Sequence, residues 1–418
     1  MRKEMFNHEI TILRDTYRRL LRRNAKINLK KLTGKTHPAD LAEVFRHFSI
    51  EEQIEIFSLM KENEHAAEFL VELDDALVIE LLENESYDRI ATIIEKAPTN
   101  DQSGILNILE NEKAQSIIEL LNAEEQEEIA EIMGYPDDSA GTLMNTEVFT
   151  LHESITAGEA IQTLQDQEGA EMVFYLYITD DDDRLVGVIS LRALTTTPSS
   201  TKLKDIMIKN IHSIRPETDQ EDVAKIVAQY NFLAVPVLDS DSKLLGIVTV
   251  DDVVDVIREE ATEDFLRMAG AGKDREILLK SSWENAKARL PWLFASWIGG
   301  IVAASIIGAF ENMLANIVAL AAFIPVILGM GGNIATQSST IIVRGMATGR
   351  VNIGGEIKLI FKEIKVGFIL GSLYGILLGA FAKFTFTNAP DNLGFVVGLS
   401  ICASMIVAAT VGTIIPLI

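Results

Sequence analysis

Two stretches of the chain concentrate side chains whose oxygens could bind a cation. The first is VDDVVDVIREEATEDF (250–265), where carboxylates recur at three- and four-residue spacing. In a helix this spacing places several carboxylates on one side, and like charges so placed repel one another unless a cation lies between them. The run therefore indicates either a cation site or a solvated acidic helix face.

The second stretch is PVILGMGGNIATQSSTIIVRGMATGR (325–350), which places amides and hydroxyls among apolar residues. Polar groups at membrane depth must be satisfied by protein or by a water-filled pathway. Neutral oxygen ligands suit a hard, hydrated cation such as Mg²⁺. The stretch is consistent with a cation pathway, and equally with a helix break whose polar groups bond to neighbouring helices.

The elements that position these residues belong to two parts of the chain that differ in charge. Residues 1–285 carry 29 basic and 57 acidic side chains, a formal charge of -28, whereas residues 286–418 carry eight and four, a charge of +4. The acidic part excludes a protein that binds nucleic acid through its phosphates. The single cysteine, Cys402, excludes a disulfide within one chain. The N-terminus lacks the apolar core of a secretory signal, so we expect the acidic part to be cytoplasmic.

Four apolar stretches predict membrane-spanning helices. They cover residues 292–310, 313–331, 366–386 and 393–418. Basic residues before the first stretch and between the second and third place both regions in the cytoplasm. Glycines recur every fourth residue at 367, 371, 375 and 379, a spacing that predicts close approach of another helix. The final VGTIIPLI has no polar anchor, from which we expect a further span beyond residue 418.

The remaining chain contains helices and a repeat. Residues 37–130 form successive short amphipathic patterns, typical of a stack of helices. ITDDDDRLVGVISLRAL (178–194) aligns with VLDSDSKLLGIVTVDDV (237–253) at an offset of 59, and the segments before them align at 63. Each copy ends a predicted hairpin with a hydroxyl residue at a helix N-terminus, which can hold a ribose or a phosphate.

The repeat resembles a CBS pair, or Bateman module. Its position after HPADLAEV and before RLPWL, GMGGN and VRGMATG resembles the MgtE family of magnesium channels and transporters, from about residue 37 to 418. The resemblance implies a multidomain homodimer: an all-α superhelical N-domain (1–136), an α/β tandem CBS domain (CBS 1, 137–200; CBS 2, 201–262), a connecting plug helix (263–288) and an α-helical transmembrane domain (289–418). The family has five membrane helices per subunit, so this chain would lack the fifth.

The resemblance also implies site residues. The metal ligands would be Glu52, Asp88, Asp219, Asp252, Asp255, Glu260, Glu263 and Asp264. The pore would be lined by Gly332, Asn333, Thr336 and Thr340, and ATP would contact Tyr175, Ser190, Arg192, Phe232, Thr249 and Asp252. The sequence departs from the family at Asn231, where a carboxylate is frequent, at Ala193, where an aspartate often contacts ribose, and in GGNIATQ, where the family has GGNxGNQ.

The implied function is a Mg²⁺-selective channel or transporter of the cell membrane, gated by intracellular Mg²⁺ at acidic sites between domains and regulated by ATP. Partners would be Mg²⁺, other divalent cations such as Co²⁺, membrane lipid and a second copy. The alternative is a membrane-tethered cation or nucleotide sensor that does not conduct. An enzyme is not indicated, since the six histidines form no HExxH spacing and no phosphate-binding GxxxxGK[ST] loop is present.

Overall fold

A computed structural model describes residues 2–83, 85–166, 174–272, 277, 280–347 and 356–417. The chain divides into two compact units, residues 1–258 and 259–418, which are described separately below. Part of the predicted plug helix (273–276 and 278–279) and part of the connection between the predicted second and third spans (348–355, with Arg350) lie outside the described residues.

The N-terminal domain is a superhelix of short helices. Its helices are α1 (Arg2–Arg22), α2 (Lys26–Thr33), α3 (Pro38–Phe45), α4 (Ile50–Ser58), α5 (Asn63–Val71), α6 (Asp75–Glu83), α7 (Tyr87–Ile94), α8 (Thr99–Ile108), α9 (Asn111–Ile118) and α10 (Ala123–Ile132). From α1 to α10, each helix packs against the helix two positions later, which produces two layers. Tyr17, Phe45, Phe57 and Phe69 are fully buried between them. The predicted superhelical fold is confirmed.

The CBS pair follows. Its elements are α11 (Ala140–Leu143), β1 (Thr150–His152), α12 (Ala157–Asp166), β2 (Tyr175–Thr179), β3 (Leu185–Ser190), α13 (Leu191–Thr196), α14 (Leu203–Ile206), α15 (Gln220–Tyr230), β4 (Ala234–Leu238), β5 (Leu244–Thr249) and α16 (Val250–Met268). In the first sheet β1 pairs with β2 in parallel, and β2 pairs with β3 antiparallel. In the second, β4 and β5 form an antiparallel pair.

The two hairpins repeat at the level of the backbone. Asp183 and Ser242, 59 residues apart, both adopt positive φ angles of 60° and 69° in the turns. The strand register shifts at Ile178/Thr179 in one hairpin and at Val237/Leu238 in the other. The sequence repeat therefore encodes a repeated turn and a repeated bulge.

The segment after α16 differs from the predicted plug helix over 263–288. The helix α16 ends at Met268, and Gly270 and Gly272 follow with φ angles of +66° and +95°. Glycine adopts these angles without the steric cost that a side chain would bring. The next helix begins at Ser282, where Ser281 and Glu284 form a capping box.

The second unit contains the long apolar helices. They are α17 (Ser282–Ala309), α18 (Glu311–Asn316), α19 (Val318–Ala321), α20 (Ile324–Ala347), α21 (Glu356–Thr385) and α22 (Leu393–Ile414), followed by a 3₁₀ turn (Ile415–Leu417). Four segments are long and apolar enough to cross a membrane: Ser282–Ala309, Val318–Met346, Ile357–Thr385 and Leu393–Leu417.

The predicted bounds of the second span, 313–331, are wrong. The helical conformation is interrupted at Phe310 and at Ile317. The long helix α20 begins only after these interruptions and continues through the glycine-rich and polar residues 329–340. A helix satisfies its own backbone groups, and glycine is tolerated in membrane helices for this reason. The helix break that was one of the two alternatives for the stretch 325–350 is absent from its part within α20, which is continuous from Ile324 to Ala347.

The glycine ladder joins α21 to α22 at close range. A Cβ added at Gly375 would lie 2.5 Å from the carbonyl oxygen of Gly398, and one at Gly379 would lie 2.5 Å from that of Gly394. At Gly371 it would meet the backbone of Cys402 at 2.9 Å. The predicted role of the ladder in close helix packing is confirmed.

Candidate functional site

The helix α20 has one polar, exposed face. Gly332, Asn333, Thr336 and Thr340 are all exposed on it, as is Gln337, at the three- and four-residue spacing of one helix side. The opposite face carries Ile334, Ser338 and Ile342, which are buried. The four predicted pore residues therefore lie together along one stripe.

The threonine hydroxyls on this face have a defined orientation. Thr336 Oγ1 donates to the carbonyl oxygen of Gly332 at 3.1 Å, and Thr340 Oγ1 donates to that of Thr336 at 2.8 Å. A hydroxyl that donates its proton to the backbone keeps its lone pairs available. The stripe consequently presents neutral acceptor oxygens, the ligand type that hard cations prefer.

A buried carboxylate lies on the other side of α20. Ser338 Oγ donates to Glu363 Oε2 at 2.9 Å, and both side chains are buried between α20 and α21. This contact ties the polar helix to α21. The sequence analysis singled out the polar stretch that contains Ser338 but did not predict this contact, because Glu363 is 25 positions away and no spacing connects the two.

In the first unit, the N-domain contacts the start of α16. Asn100 Nδ2 donates to Asp252 Oδ1 at 3.2 Å, while the hydroxyl and the backbone N–H of Thr249 both donate to Oδ2 of the same aspartate. Nearby, the hydroxyls of Thr99 and Thr146 lie 2.9 Å apart. The predicted ligand Asp252 is thus positioned at the junction between the N-domain and the CBS pair.

Asp101 adds a further carboxylate to this junction. The pKa of Asp101 is raised from 3.8 to about 7, first by burial and then by the negative charges of Asp252, Asp251 and Asp255. Burial also raises the pKa of Asp252 against the opposing effect of its Thr249 hydrogen bond. We define Asp101, Asp251, Asp252 and Asp255 as the acidic junction. Bringing these carboxylates together costs free energy that a bound cation would offset.

Three other predicted metal ligands occupy helix starts. Glu52 accepts from the backbone of Ser49 in the capping box of α4, and Asp219 caps α15 by accepting from the Glu221 N–H at 2.9 Å. Asp88 lies in the first turn of α7 and lines a cavity of about 340 Å³ with Glu95. These positions account for Glu52 and Asp219 by helix capping.

The predicted ligands on α16 differ in their surroundings. Asp255 is exposed and lies 3.1 Å from Arg258, whereas Glu263 is buried and pairs with Arg267. Burial, and next the charge of Glu260, raise the pKa of Asp264, while Arg267 and Arg344 lower it. Within the described residues, no three His, Cys, Asp or Glu side chains converge closely enough to hold a metal ion. The structure thus places Asp252 and Asp255 together, but not the full predicted set.

The predicted nucleotide residues divide between the two CBS copies, in which Ser190 and Thr249 occupy equivalent positions. Tyr175 pairs with Ser190 across the first hairpin, and Ser190 caps α13 by accepting from the Ala193 N–H at 3.2 Å. In the second copy Thr249 takes the place of Ser190, and its partner is the carboxylate of Asp252. Arg192 is exposed on α13, and Phe232 stacks on Tyr230 with ring centroids 5.3 Å apart. A carboxylate that could contact a ribose is present at this position of the second copy, whereas the first copy has Ala193 there.

Comparison with known proteins shows which family has this order of domains. Three family models match in succession: the MgtE intracellular N domain over residues 36–138, the CBS domain over 140–198 and 203–259, and the divalent cation transporter MgtE over 324–418. A "Magnesium transporter MgtE" of Bacillus subtilis (strain 168) is 31% identical over 401 residues, which cover 96% of this chain and 88% of the relative. The chain belongs to the MgtE family.

Further MgtE relatives agree. The "Magnesium transporter MgtE" of Thermus thermophilus is 33% identical over 394 residues, 93% of this chain and 86% of the relative. Two solved structures are similar to the N-domain and CBS pair. The soluble part of a magnesium transporter is 29% identical with a TM-score of 0.56, covering 60% of this chain and 99% of that chain. The cytosolic domain of the Mg²⁺ channel MgtE in complex with ATP is 31% identical with the same score, covering 58% and 99%.

These findings confirm the predicted MgtE family and its fold class, a multidomain chain with a helical N-domain, a CBS pair and apolar membrane helices. This MgtE-family member is a multi-pass membrane protein. Asp101 and Asp251 of the acidic junction are not among the predicted ligands; Asp251 lies within the acidic run 250–265, whereas Asp101 lies outside it. A single Asp in TNDQSG gives no local signal, and its importance arises only where α8 meets α16.

Proposed function

We propose that this chain carries Mg²⁺ across the cell membrane along the polar face of α20. The observation that supports the proposal is the exposed stripe of amide and hydroxyl oxygens on a helix long enough to span the membrane. Hydrocarbon cannot satisfy these groups, so the stripe has to face protein or water. The MgtE relatives of this chain are named magnesium transporters, which supports Mg²⁺ as the substrate.

A homodimer would complete the pathway. Two copies of α20 facing each other across a water-filled space would satisfy both polar stripes and surround a hydrated cation with neutral oxygens. The dry, apolar sides of the membrane helices would contact lipid. Substitution of the family's GGNxGNQ by GGNIATQ changes the oxygens on the stripe, so transport of Co²⁺ or another divalent cation is part of the proposal.

Replacement of Thr336 by alanine tests the pathway. We expect Thr336→Ala to reduce Mg²⁺ uptake about tenfold, because one neutral ligand is removed from the stripe, and Thr336→Ser to retain uptake. Uptake is measured in proteoliposomes with a Mg²⁺-sensitive dye. Thr410→Ala is the matched control, since Thr410 makes the same type of hydrogen bond, to Ile406, on α22.

Two results would contradict conduction along α20. Uptake by Thr336→Ala equal to that of the unmodified chain would exclude the stripe as the route. An unmodified chain that binds Mg²⁺ but shows no uptake would favour the alternative, a membrane-tethered sensor that does not conduct.

The acidic junction would make the pathway responsive to internal Mg²⁺. With the N-domain and CBS pair in the cytoplasm, as the basic membrane flanks suggest, Mg²⁺ bound at the junction would neutralise Asp101, Asp251, Asp252 and Asp255 and hold the N-domain docked. At low Mg²⁺ the carboxylates would repel and the N-domain would separate. Such a switch requires Mg²⁺ to bind the docked state more tightly. Glu52, Asp88, Asp219, Glu260, Glu263 and Asp264 remain predicted ligands of further sites.

ATP would regulate the same region. A similar cytosolic domain has been solved in complex with ATP, and this chain keeps Thr249 and Asp252 in an arrangement that could bind a ribose hydroxyl. Asp252 already accepts from Asn100, so a nucleotide bound there would compete with the N-domain for the carboxylate. Calorimetry with ATP on the full chain tests this role, with Asp252→Asn expected to weaken binding.

A further inference from the structure

A cavity on the N-domain is lined by cationic side chains. It has a volume of about 350 Å³ and lies between the end of α2 and the start of α5. Five basic residues line it: Lys30, Lys31, Lys35, Lys61 and His65. Among the described residues that line the cavity, Glu62 is the one carboxylate. A cavity of this kind is unexpected in a chain with a net charge of -24.

The lysines of this basic cavity are not neutralised by nearby carboxylates. In the part of the chain that the structure describes, no ion pair within 4.0 Å involves Lys30, Lys31, Lys35 or Lys61, and all four side chains are exposed. The neighbouring Lys26, by contrast, lies 3.7 Å from Glu55. The ammonium groups of the cavity are therefore available to an external anion.

The charge distribution of the chain concentrates anion attraction at this end. Residues 1–35 contain 11 basic and three acidic side chains, a charge of +8, whereas residues 36–285 contain 18 and 54, a charge of -36. The negative charge of residues 36–285 repels an approaching anion, whereas the positive charge of residues 1–35, which include most of the cavity's lysines, attracts it.

The start of α5 adds hydrogen-bond donors. Glu62 precedes the helix without a side-chain cap, so the first-turn amides are left for another acceptor. His65 Nε2 lies 3.1 Å from the carbonyl oxygen of Thr33, which as an acceptor places a proton on Nε2 and ties α5 to the end of α2. The positive end of the α5 dipole therefore faces the same region as the lysines.

We propose that the basic cavity binds a phosphate group. Several lysine ammonium groups around a helix N-terminus match the charge and the acceptor oxygens of phosphate. The phosphate could belong to an anionic lipid headgroup or to a soluble phosphorylated compound. Ile27, which is 87% exposed on the cavity lining, offers an apolar neighbour to either a glycerol or a sugar. This site is separate from the proposed cation pathway and from the predicted nucleotide residues.

Pyrophosphate tests the soluble source. The full-length chain in detergent, free of Mg²⁺, is titrated with pyrophosphate by calorimetry at constant ionic strength. We expect the double variant Lys30→Gln with Lys61→Gln to bind about tenfold more weakly than the unmodified chain. Arg22→Gln with Arg23→Gln is the matched control, because it removes the same charge from exposed positions of the N-terminal region outside the cavity lining. Equal unfolding temperatures establish that the variants are folded.

A lipid titration tests the other source. Native mass spectrometry counts phosphatidylglycerol molecules retained by the same three proteins, with phosphatidylcholine as the uncharged comparison. Loss of pyrophosphate binding alone in the lysine variant indicates a soluble phosphate compound, and loss of phosphatidylglycerol alone indicates a headgroup. Loss of both indicates a site for the shared phosphate chemistry. Equal losses in the lysine and arginine variants, or no loss of either probe in the lysine variant, would overturn the proposal.

Discussion

The side chain of Asp101 combines burial with repulsion from three neighbouring carboxylates. Its pKa of about 7, against an ordinary value of 3.8, means that the docked N-domain binds a proton more tightly than the undocked one. Docking is therefore most favourable at low pH and weakens as the pH rises from about 4 to about 7. Above that range Asp101 is ionised in both states, and docking no longer changes with its titration.

The substitution Asp101→Asn should remove this pH dependence. The amide has no charge to repel Asp251, Asp252 and Asp255, so we expect the variant to remain docked at pH 7.5 in the absence of Mg²⁺. Hydrogen exchange of the α8 amides, corrected for intrinsic rates, measures docking between pH 5 and 8. Asp15→Asn, the same change at an exposed position of α1, should keep the dependence of the unmodified chain. Identical profiles for all three proteins would contradict the role of Asp101.

Single residues also show where sequence reasoning stops. Glu52 and Asp219 matched the positions expected of metal ligands, yet a carboxylate three residues after a serine and an aspartate before a helix are equally the signs of caps. The structure shows the capping contacts, and the role of both residues as metal ligands stays a prediction. Asp101 was missed for the opposite reason, because its partners lie about 150 residues away and no spacing rule connects them.

Among the elements of the membrane unit, α21 and α22 pack backbone against backbone along the glycine ladder. We expect Gly375→Ala to destabilise the unit by about 1–3 kcal/mol, because the added methyl group would meet the carbonyl oxygen of Gly398 in backbone that has little room to move. The unfolding temperature in detergent, read from the loss of helical circular dichroism, measures the effect. Gly299→Ala is the control, since a Cβ there meets nothing within 4 Å. Equal unfolding temperatures for the two variants would show that the ladder does not determine packing.

The sequence predicted this element pair better than it predicted α20. A four-residue glycine spacing has one simple structural meaning, close helix approach, and the structure agrees. In α20 the glycines and polar residues suggested an interruption, and the span was placed about ten residues too early. Hydropathy marks where apolar side chains begin, whereas the limits of a helix depend on its backbone hydrogen bonds. The helix α20 continues through Gly331 and Gly332, so the glycines do not end it.

At the scale of the whole molecule, the proposed gate predicts a response to Mg²⁺. We expect millimolar Mg²⁺ to slow proteolysis of the segment between the N-domain and the CBS pair, because the cation would hold the acidic junction together. Asp252→Asn should weaken this protection several-fold, while Asp166→Asn, a carboxylate in the first CBS copy, should not. The rate of appearance of the cleaved N-domain on gels is the measurement. Protection that is independent of Mg²⁺ in the unmodified chain would refute gating at the junction.

The overall architecture was predictable because several independent signals agree. The offset of 59 residues that relates the hairpins in sequence also relates Asp183 to Ser242 in backbone conformation, and the charge boundary near residue 285 separates the acidic part from the apolar helices. Two contacts between elements, Asn100 with Asp252 at the acidic junction and Ser338 with Glu363 between α20 and α21, join distant residues and carry no sequence signature.

The close backbone packing of α21 and α22 has a consequence for membrane insertion. Only a short connection, residues 386–392, separates the two helices, so their contacts are local along the chain and can form as soon as both have left the ribosome. In contrast, α17 has no buried residue among those described, and its packing partners have to be found later, in lipid or in another subunit. Because α17 is synthesised before α21 and α22, we expect it to enter the membrane first and to pack only after this helical hairpin has formed.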